Sequence, residues 1–180
     1  LMKLYYERIL CKKADEPTIA LIDQWRSLSE TVIGKSIGVM VGDRHEHPRL
    51  KQFDGELNTA FPMIVEGEVV LALWLDSLKD VKPIIVTHEI GHWVLKLQGF
   101  PAMIYPPDRH SNTEILLNSL TQHPPLYTLQ KSIGHNPQAE IDSRAQHNIT
   151  VFSANREATN RRIWIENALM LADDLLNCSE

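Results

Sequence analysis

The sequence predicts an α+β fold, in which strands come first and helices follow. Short apolar runs of strand length occupy the first half of the chain, and longer patterns with helical spacing dominate the second half. The 180 residues are 43% hydrophobic and 23% charged, which is ordinary for a globular protein with a proper core. We therefore expect one domain over residues 1–180, with a small N-terminal mixed or antiparallel sheet packed on a helix and a helical C-terminal half.

The N-terminal half contains one predicted helix and three predicted strands. Pro17 suits the first turn of a helix that runs to about Ser29. Residues 36–42 are rich in Val and Ile and predict a strand. The runs 63–65 and 69–75 predict a hairpin with Gly67 at its turn. The residues expected on the inner face of the helix are Ile19, Ile22, Trp25 and Leu28.

The segment from Asp80 to Gly99 has marked helix boundaries. Asp80 can cap its N-terminus, Pro83 suits its first turn and Gly99 suits the position after its last turn. A surface loop is expected over residues 101–112, after this helix. The tryptophans expected in the core are Trp74, Trp93 and Trp164.

Three further helices are predicted after residue 110. A short helix over residues 111–122 is expected to stop at Pro124-Pro125, and Asn136-Pro137 opens the next one. A long amphipathic helix is expected from Asn155 to Asn177. Its inward residues are predicted to include Ile163, Leu169 and Leu176.

Charge and cysteine content limit the classes of function. The net charge of −5 argues against direct binding of nucleic acid, which normally uses a basic surface. No apolar run approaches the roughly 20 residues that span a bilayer, so no membrane segment is expected. With Cys11 and Cys178 as its only cysteines, the chain is expected in a reducing compartment, by default the cytoplasm.

The segment His88-Glu89-Ile90-Gly91-His92 carries the strongest functional signal. Residues four apart share a helix face, so the imidazoles of His88 and His92 can converge on one zinc ion. Glu89 lies about 100° around the helix, where it can hold a metal-bound water and accept its proton. The pattern predicts a zinc-dependent hydrolase with Glu89 as general base. The alternative is a pair of histidines that only bond to the backbone.

A catalytic zinc site needs a third protein ligand. Glu114, 22 positions after His92 (114 − 92), is the preferred choice because the loop between them lets the second helix fold back. Its alternative role is a capping box with Ser111. The other possible ligands are Asp108, His110 and His123.

Several polar side chains are weaker candidates for a functional role. Tyr105, His123 and Tyr127 are possible donors to the oxyanion of a tetrahedral intermediate, although each is also an ordinary loop residue type. His45 and His47 flank Glu46 in a polar loop, and solvated surface is their expected role rather than metal binding.

These residues together resemble the gluzincin type of zinc metallopeptidase, and within it the ImmA/IrrE family. In that family a strand and a short loop lead into the motif helix, as residues 69–75 and 76–82 do here. A Glu followed by an Asn four residues later then matches Glu114 and Asn118. Leu117 replaces the family's Ala, and His123-Pro124-Pro125 departs from its usual ending. The likeness covers residues 63–125.

The resemblance implies a zincin-like domain that binds Zn²⁺ and cleaves peptide bonds. Active members of that family cut helix-turn-helix transcriptional repressors, so a regulatory protein of that kind is the implied substrate. Two alternatives remain open at this point. The chain could be a non-catalytic binding module with the same fold, or a zinc hydrolase of a non-peptide amide.

Overall fold

The computed structural model describes residues 4–6, 10, 14–52, 58–79, 81–101, 112–154 and 161–179. These residues have the mixed α+β character that the sequence predicts. The chain forms two compact units: unit 1 comprises Leu1–Gln98 with Ser132–His135, and unit 2 comprises Gly99–Lys131 with Asn136–Glu180. Within the described ranges, no helix combines the length and apolarity needed to cross a bilayer.

A long helix of unit 1, α1 (Glu16–Ile33), begins where Asp15 caps it. The Asp15 side chain accepts a hydrogen bond from the backbone N–H of Thr18, a cap contributing about 1 kcal/mol. Ile22 and Trp25 are buried as predicted, at 3% and 2% exposure. Ile19 was expected on the same inner face but is exposed at 38%, so that prediction is wrong. The buried stripe includes Thr18 and Leu21 instead.

Unit 1 also contains a four-stranded mixed sheet with the strand order β1-β2-β4-β3. Strands β2 and β4 pair in parallel, whereas β1–β2 and β3–β4 pair antiparallel. Residues 71–75 of the inner strand β4 are all buried, which is typical of a strand covered on both faces. The four strands are β1 (Leu4–Tyr6), β2 (Gly38–Asp43), β3 (Thr59–Val65) and β4 (Glu68–Leu75).

The predicted hairpin is confirmed, with a two-residue turn at Glu66 and Gly67. Both residues have positive φ, 52° and 84° respectively. Such a turn matches the twist of the flanking strands but strains any residue other than Gly, Asn or Asp. Gly67 fits this position, and Glu66 adopts it at a steric cost.

Trp74 is a core residue as predicted, with 0% exposure. It packs on Gly42 of the neighbouring strand so closely that a Cβ on Gly42 would lie 2.4 Å from the indole ring. His47 lies edge-on to Trp74, with ring centroids 4.7 Å apart, and its Nδ1 atom accepts from two backbone N–H groups. His47 is therefore only in part a solvated surface residue, because its ring also closes a turn. His45 is exposed, as expected.

The helix α2 (Pro83–Leu97) carries the histidine motif. It begins at Pro83, so Pro83 lies in the first turn as predicted, but Lys82 occupies the cap position and makes no side-chain cap hydrogen bond. The prediction that Asp80 caps this helix is therefore wrong, because the helix begins later than expected; Asp80 itself lies outside the described residues. Gly99 follows the helix with a φ of 85°, as expected for its end.

Unit 2 consists of helices in its described part: α3 (Asn112–Ser132), α4 (Gln138–Ala154) and α5 (Arg161–Asn177). The prediction that Pro124-Pro125 stop α3 is wrong, because the helix continues through both prolines to Ser132. The reason lies in packing. The positions i, i+3, i+4 and i+7 from residue 123 form a buried stripe, which stabilises the helix on both sides of the prolines. That stripe is His123, Leu126, Tyr127 and Gln130.

Helix α5 does not bury the residues that its periodicity indicates. Ile163 and Leu176 are exposed at 44% and 71%, and Trp164, a predicted core residue, is exposed at 44%. The deeply buried positions are Asp173 and Asp174, at 6% and 1% exposure. The apolar pattern misleads here because the buried face is polar. Residues 155–160 of the predicted helix lie outside the described residues.

Candidate metal centre

Helix α2 has two chemically different faces. Thr87, Ile90 and Val94 are each 0% exposed and lie about one turn apart on the face that packs into unit 1. Ile85, His88, Glu89 and His92 occupy positions i, i+3, i+4 and i+7, which form one stripe on the opposite side. All four are only partly buried. The fold of unit 1 therefore presents the motif along the accessible face of a firmly packed helix.

The imidazoles of His88 and His92 lie next to each other on this stripe. Their ring centroids are 4.9 Å apart and their planes are at 86°. Among the described residues, His88, His92 and His123 each offer a nitrogen atom, and these ligand atoms all lie within 4.8 Å of one another. Three imidazole nitrogens are a donor set that suits Zn²⁺ and leaves a fourth position for water or substrate. The group can hold a metal ion, and its chemistry fits zinc.

Glu89 shares the stripe with the two histidines. Although the residue as a whole is only partly buried, its carboxyl group is enclosed by protein. This burial raises the pKa of the carboxyl group to about 8, because a charged carboxylate is poorly solvated there. A divalent cation nearby has the opposite effect and favours the ionised form. A carboxyl group that is poised in this way is suited to exchanging a proton near neutral pH.

His123 is held from behind by an aspartate. Its Nδ1 atom lies 2.6 Å from Oδ2 of Asp173, and both side chains are buried. A carboxylate in this position fixes the ring orientation and the tautomer, so that metal binding would use Nε2. Metal-binding histidines very often have such a partner, and the pair supports a ligand role for His123.

Tyr127 follows His123 by one helical turn, and their ring centroids are 5.2 Å apart. Burial raises the pKa of the Tyr127 phenol, and the nearby Arg144 opposes this effect. Nη2 of Arg144 donates to the Tyr127 oxygen at 2.8 Å, and its Nε donates to the buried Asp174 at 2.5 Å. Tyr127 is therefore a neutral residue within a buried polar network. Its role as an oxyanion donor stays a prediction.

A cavity of about 230 Å³ lies in unit 1, near the start of α2. Its wall includes Ile85, which precedes Glu89 by one helical turn, so their Cβ atoms are about 6 Å apart. Leu75 and Val81 add apolar wall, and Asp76 and Lys82 add charged groups. The residues that line it do not include His88, Glu89 or His92.

Trp93 fixes the motif helix against the sheet. Its indole N–H donates to the carbonyl oxygen of Ala60 on β3 at 2.8 Å, and the ammonium group of Lys96 lies 3.9 Å from the ring centroid. Trp93 was predicted to be core but is only half-buried. Its polar end instead ties the residue after His92 to the backbone of an edge strand.

The preferred third ligand, Glu114, has its backbone in the first turn of α3, but its side chain lies outside the described part of the chain. The same holds for the whole of Tyr105, Asp108 and His110. Glu114 precedes His123 by nine residues (123 − 114) on one continuous helix, which is about 13.5 Å along the axis. Two side chains that far apart do not readily reach one ion, so Glu114 and His123 are alternative third ligands.

One residue of this centre escaped the sequence reasoning. Asp173, the partner of His123, lies 50 positions away, and no spacing rule connects them. A weak signal exists, because Asp173 and Asp174 interrupt the apolar run 169–176. Charged residues in such a position indicate a buried polar role.

Comparison with known proteins found no matching family model, no matching curated protein and no matching solved structure.

Proposed function

We propose that the chain is a zinc-dependent hydrolase that cleaves peptide bonds, with His88, His92 and His123 as metal ligands and Glu89 as general base. The observation that carries this proposal is the grouping of three imidazoles within 4.8 Å. Two of them share a helix face with the Glu89 carboxyl group. Ligands and base are then supplied together, which is the donor set that metal-assisted hydrolysis needs.

The roles of the residues follow from their positions. Zinc, when bound, supplies a Lewis acid and lowers the pKa of a coordinated water to about 7. The Glu89 carboxylate accepts a proton from the attacking water and delivers it to the departing amide nitrogen. Asp173 keeps the His123 ring in one orientation.

We propose a protein or peptide as substrate. The cavity of about 230 Å³ near the start of α2, whose wall includes Ile85 one turn before Glu89, is the site that we propose for one side chain of an extended peptide. The likeness of the motif region to the ImmA/IrrE family makes a DNA-binding repressor the first substrate to test. The net charge of −5 suits a protein that binds such a repressor rather than its DNA.

The decisive variant is Glu89→Gln, which keeps the size of the side chain but removes the base. We expect it to retain one equivalent of zinc, measured by mass spectrometry of the metal. Cleavage of a mixture of fluorogenic peptides should fall by about 100-fold to 10,000-fold, the usual contribution of a general base. Glu30→Gln, an exposed glutamate on α1, serves as the matched control and should cleave like the wild type.

Undiminished cleavage by the Glu89→Gln variant would contradict the mechanism. A wild-type protein that binds zinc but cleaves neither the peptide mixture nor a repressor would instead indicate a non-catalytic binding module. If it released amines only from non-peptide amides, the substrate class would have to be revised.

A further inference from the structure

His135 lies in the connection between α3 and α4, in the short segment that belongs to unit 1. It follows Gly134, whose φ of 96° lets the chain turn sharply. The side chain is only 9% exposed, and each ring nitrogen has a partner. Nε2 lies 2.7 Å from Oδ2 of Asp15, and Nδ1 lies 2.9 Å from the hydroxyl of Thr87.

Asp15 is an ionised partner in this arrangement. Burial opposes ionisation, but hydrogen bonds from Thr18 and His135 outweigh it and hold the pKa of Asp15 below its ordinary value. Its Oδ1 atom accepts from the N–H and the hydroxyl of Thr18, at 3.1 and 2.6 Å. Because a carboxylate can only accept, Nε2 of His135 must donate to Oδ2.

Thr87 can be held by His135 in either protonation state of the imidazole. When the ring is neutral, Nδ1 accepts the Thr87 hydroxyl proton. When the ring is charged, Nδ1 donates to the hydroxyl, whose own proton turns to the carbonyl of Ile84, 3.1 Å away. The connection from Asp15 to Thr87 therefore does not depend on one charge state.

Thr87 directly precedes His88 but lies about 100° around the helix from it, on the buried side of α2. A side chain held there controls the rotation of the helix about its own axis. With imidazole nitrogens about 7 Å from that axis, a rotation of about 10° moves them by about 1 Å. Displacements of that size degrade metal-binding and catalytic geometry.

We propose that His135 is a positioning residue: it connects the cap of α1 to the buried face of α2 and thereby sets the direction of His88, Glu89 and His92. It touches neither metal nor substrate. The inference deepens the proposed function, because it explains how unit 1 orients two of the three ligands.

The test uses Thr87→Val, which removes the hydroxyl but keeps the shape, and His135→Gln, whose amide keeps a donor for Asp15. We expect each variant to bind zinc about 10-fold more weakly, because a displacement of about 1 Å degrades the geometry of the ligands. The visible spectrum of the cobalt-loaded protein should shift as well. The double variant should lose little more than either single variant, because both break one connection.

Two controls separate positioning from general loss of packing. Thr31→Val removes an exposed hydroxyl on α1 that bonds only one turn back, to Ser27, and should leave zinc affinity and the cobalt spectrum unchanged. Thr87→Ser restores a hydroxyl and should recover most of the zinc affinity. If Thr87→Val does not fold, His135→Gln carries the same test alone.

Folded variants with wild-type zinc affinity and an unchanged cobalt spectrum would overturn the proposal. If the wild-type protein binds no zinc, the proposed function fails, but the positioning role is still decided by NMR of the metal-free protein. Shifted imidazole resonances of His88 and His92 in Thr87→Val, relative to Thr31→Val, support it. Unchanged resonances overturn it.

Discussion

The imidazole of His123 is held by Asp173, and the two residues come from helices 50 positions apart in the chain. Burial of both side chains strengthens the interaction, since little water screens it. An aspartate in that position raises the basicity of the ring as a metal ligand. At the scale of single residues, this contact is what distinguishes His123 from an ordinary buried histidine.

The choice between His123 and Glu114 as third ligand is a direct test at this scale. We expect His123→Gln to weaken zinc binding by more than the roughly 10-fold to 100-fold that loss of an outer partner costs. Glu114→Gln should bind zinc with nearly wild-type affinity. Competition with a chromophoric chelator measures both affinities.

The opposite pattern, with tight binding by His123→Gln and weak binding by Glu114→Gln, would assign the ligand role to Glu114. His123 would then return to its first predicted role as a donor to the reacting group. His45→Gln, at an exposed site on unit 1, controls for general effects of losing a histidine.

Local spacing predicts those parts of the centre that lie on one helix. His88, Glu89 and His92 follow from the pitch of an α-helix alone. His123–Asp173 and Asp15–His135–Thr87 join residues 48 to 120 positions apart. Such contacts depend on how elements pack, so sequence patterns do not reveal them.

Helix α3 shows at the scale of elements how packing can override local propensity. A proline inside a helix removes one hydrogen bond and clashes with the preceding turn. The helix nevertheless continues, because Leu126 and Tyr127, at 0% and 5% exposure, bury its next turn. The structure thus contains a helix that its own prolines destabilise.

Replacing the exposed Pro124 by Ala should therefore stabilise the protein. The substitution restores a backbone donor and relieves the clash, offset in part by the greater freedom of the unfolded chain. We expect a gain of about 1–2 kcal/mol in the free energy of unfolding, measured by urea denaturation.

Pro17→Ala is the matched control, because Pro17 lies at the start of α1, where proline is favourable. It should not stabilise the protein. A loss of stability in Pro124→Ala would contradict the view that packing holds α3 together against its prolines.

Features that neighbouring residues determine were predicted well, whereas features that depend on tertiary packing were not. The hairpin turn at Gly67 and the place of Pro83 in the first turn of α2 depend on a few neighbouring residues. In α5 the buried face carries Asp173 and Asp174. Hydrophobic periodicity assumes an apolar interior, so it selected the wrong face.

At the scale of the whole molecule, zinc should act as a stabilising ligand. A ligand that binds only the folded state raises its stability by about 4 kcal/mol at a thousandfold excess over Kd. For a chain of 180 residues this corresponds to an increase of roughly 8–16 °C in Tm. Thermal unfolding with excess zinc and with a chelator measures the difference.

Magnesium, which prefers oxygen ligands, should leave the Tm unchanged. His88→Gln should abolish most of the response to zinc, whereas His45→Gln should keep it. An equal Tm with zinc and with chelator in the wild-type protein would contradict the metal site itself.

The four tryptophans are unevenly distributed: Trp25, Trp74 and Trp93 belong to unit 1, and only Trp164 belongs to unit 2. Trp25 and Trp74 are enclosed at 2% and 0% exposure, whereas Trp164 is exposed at 44%. Enclosed indoles emit at shorter wavelengths than hydrated ones, so the blue edge of the intrinsic fluorescence comes from the sheet-containing unit. Circular dichroism, by contrast, follows the helices of both units. A single denaturation series recorded with both signals would then show whether the two units melt together.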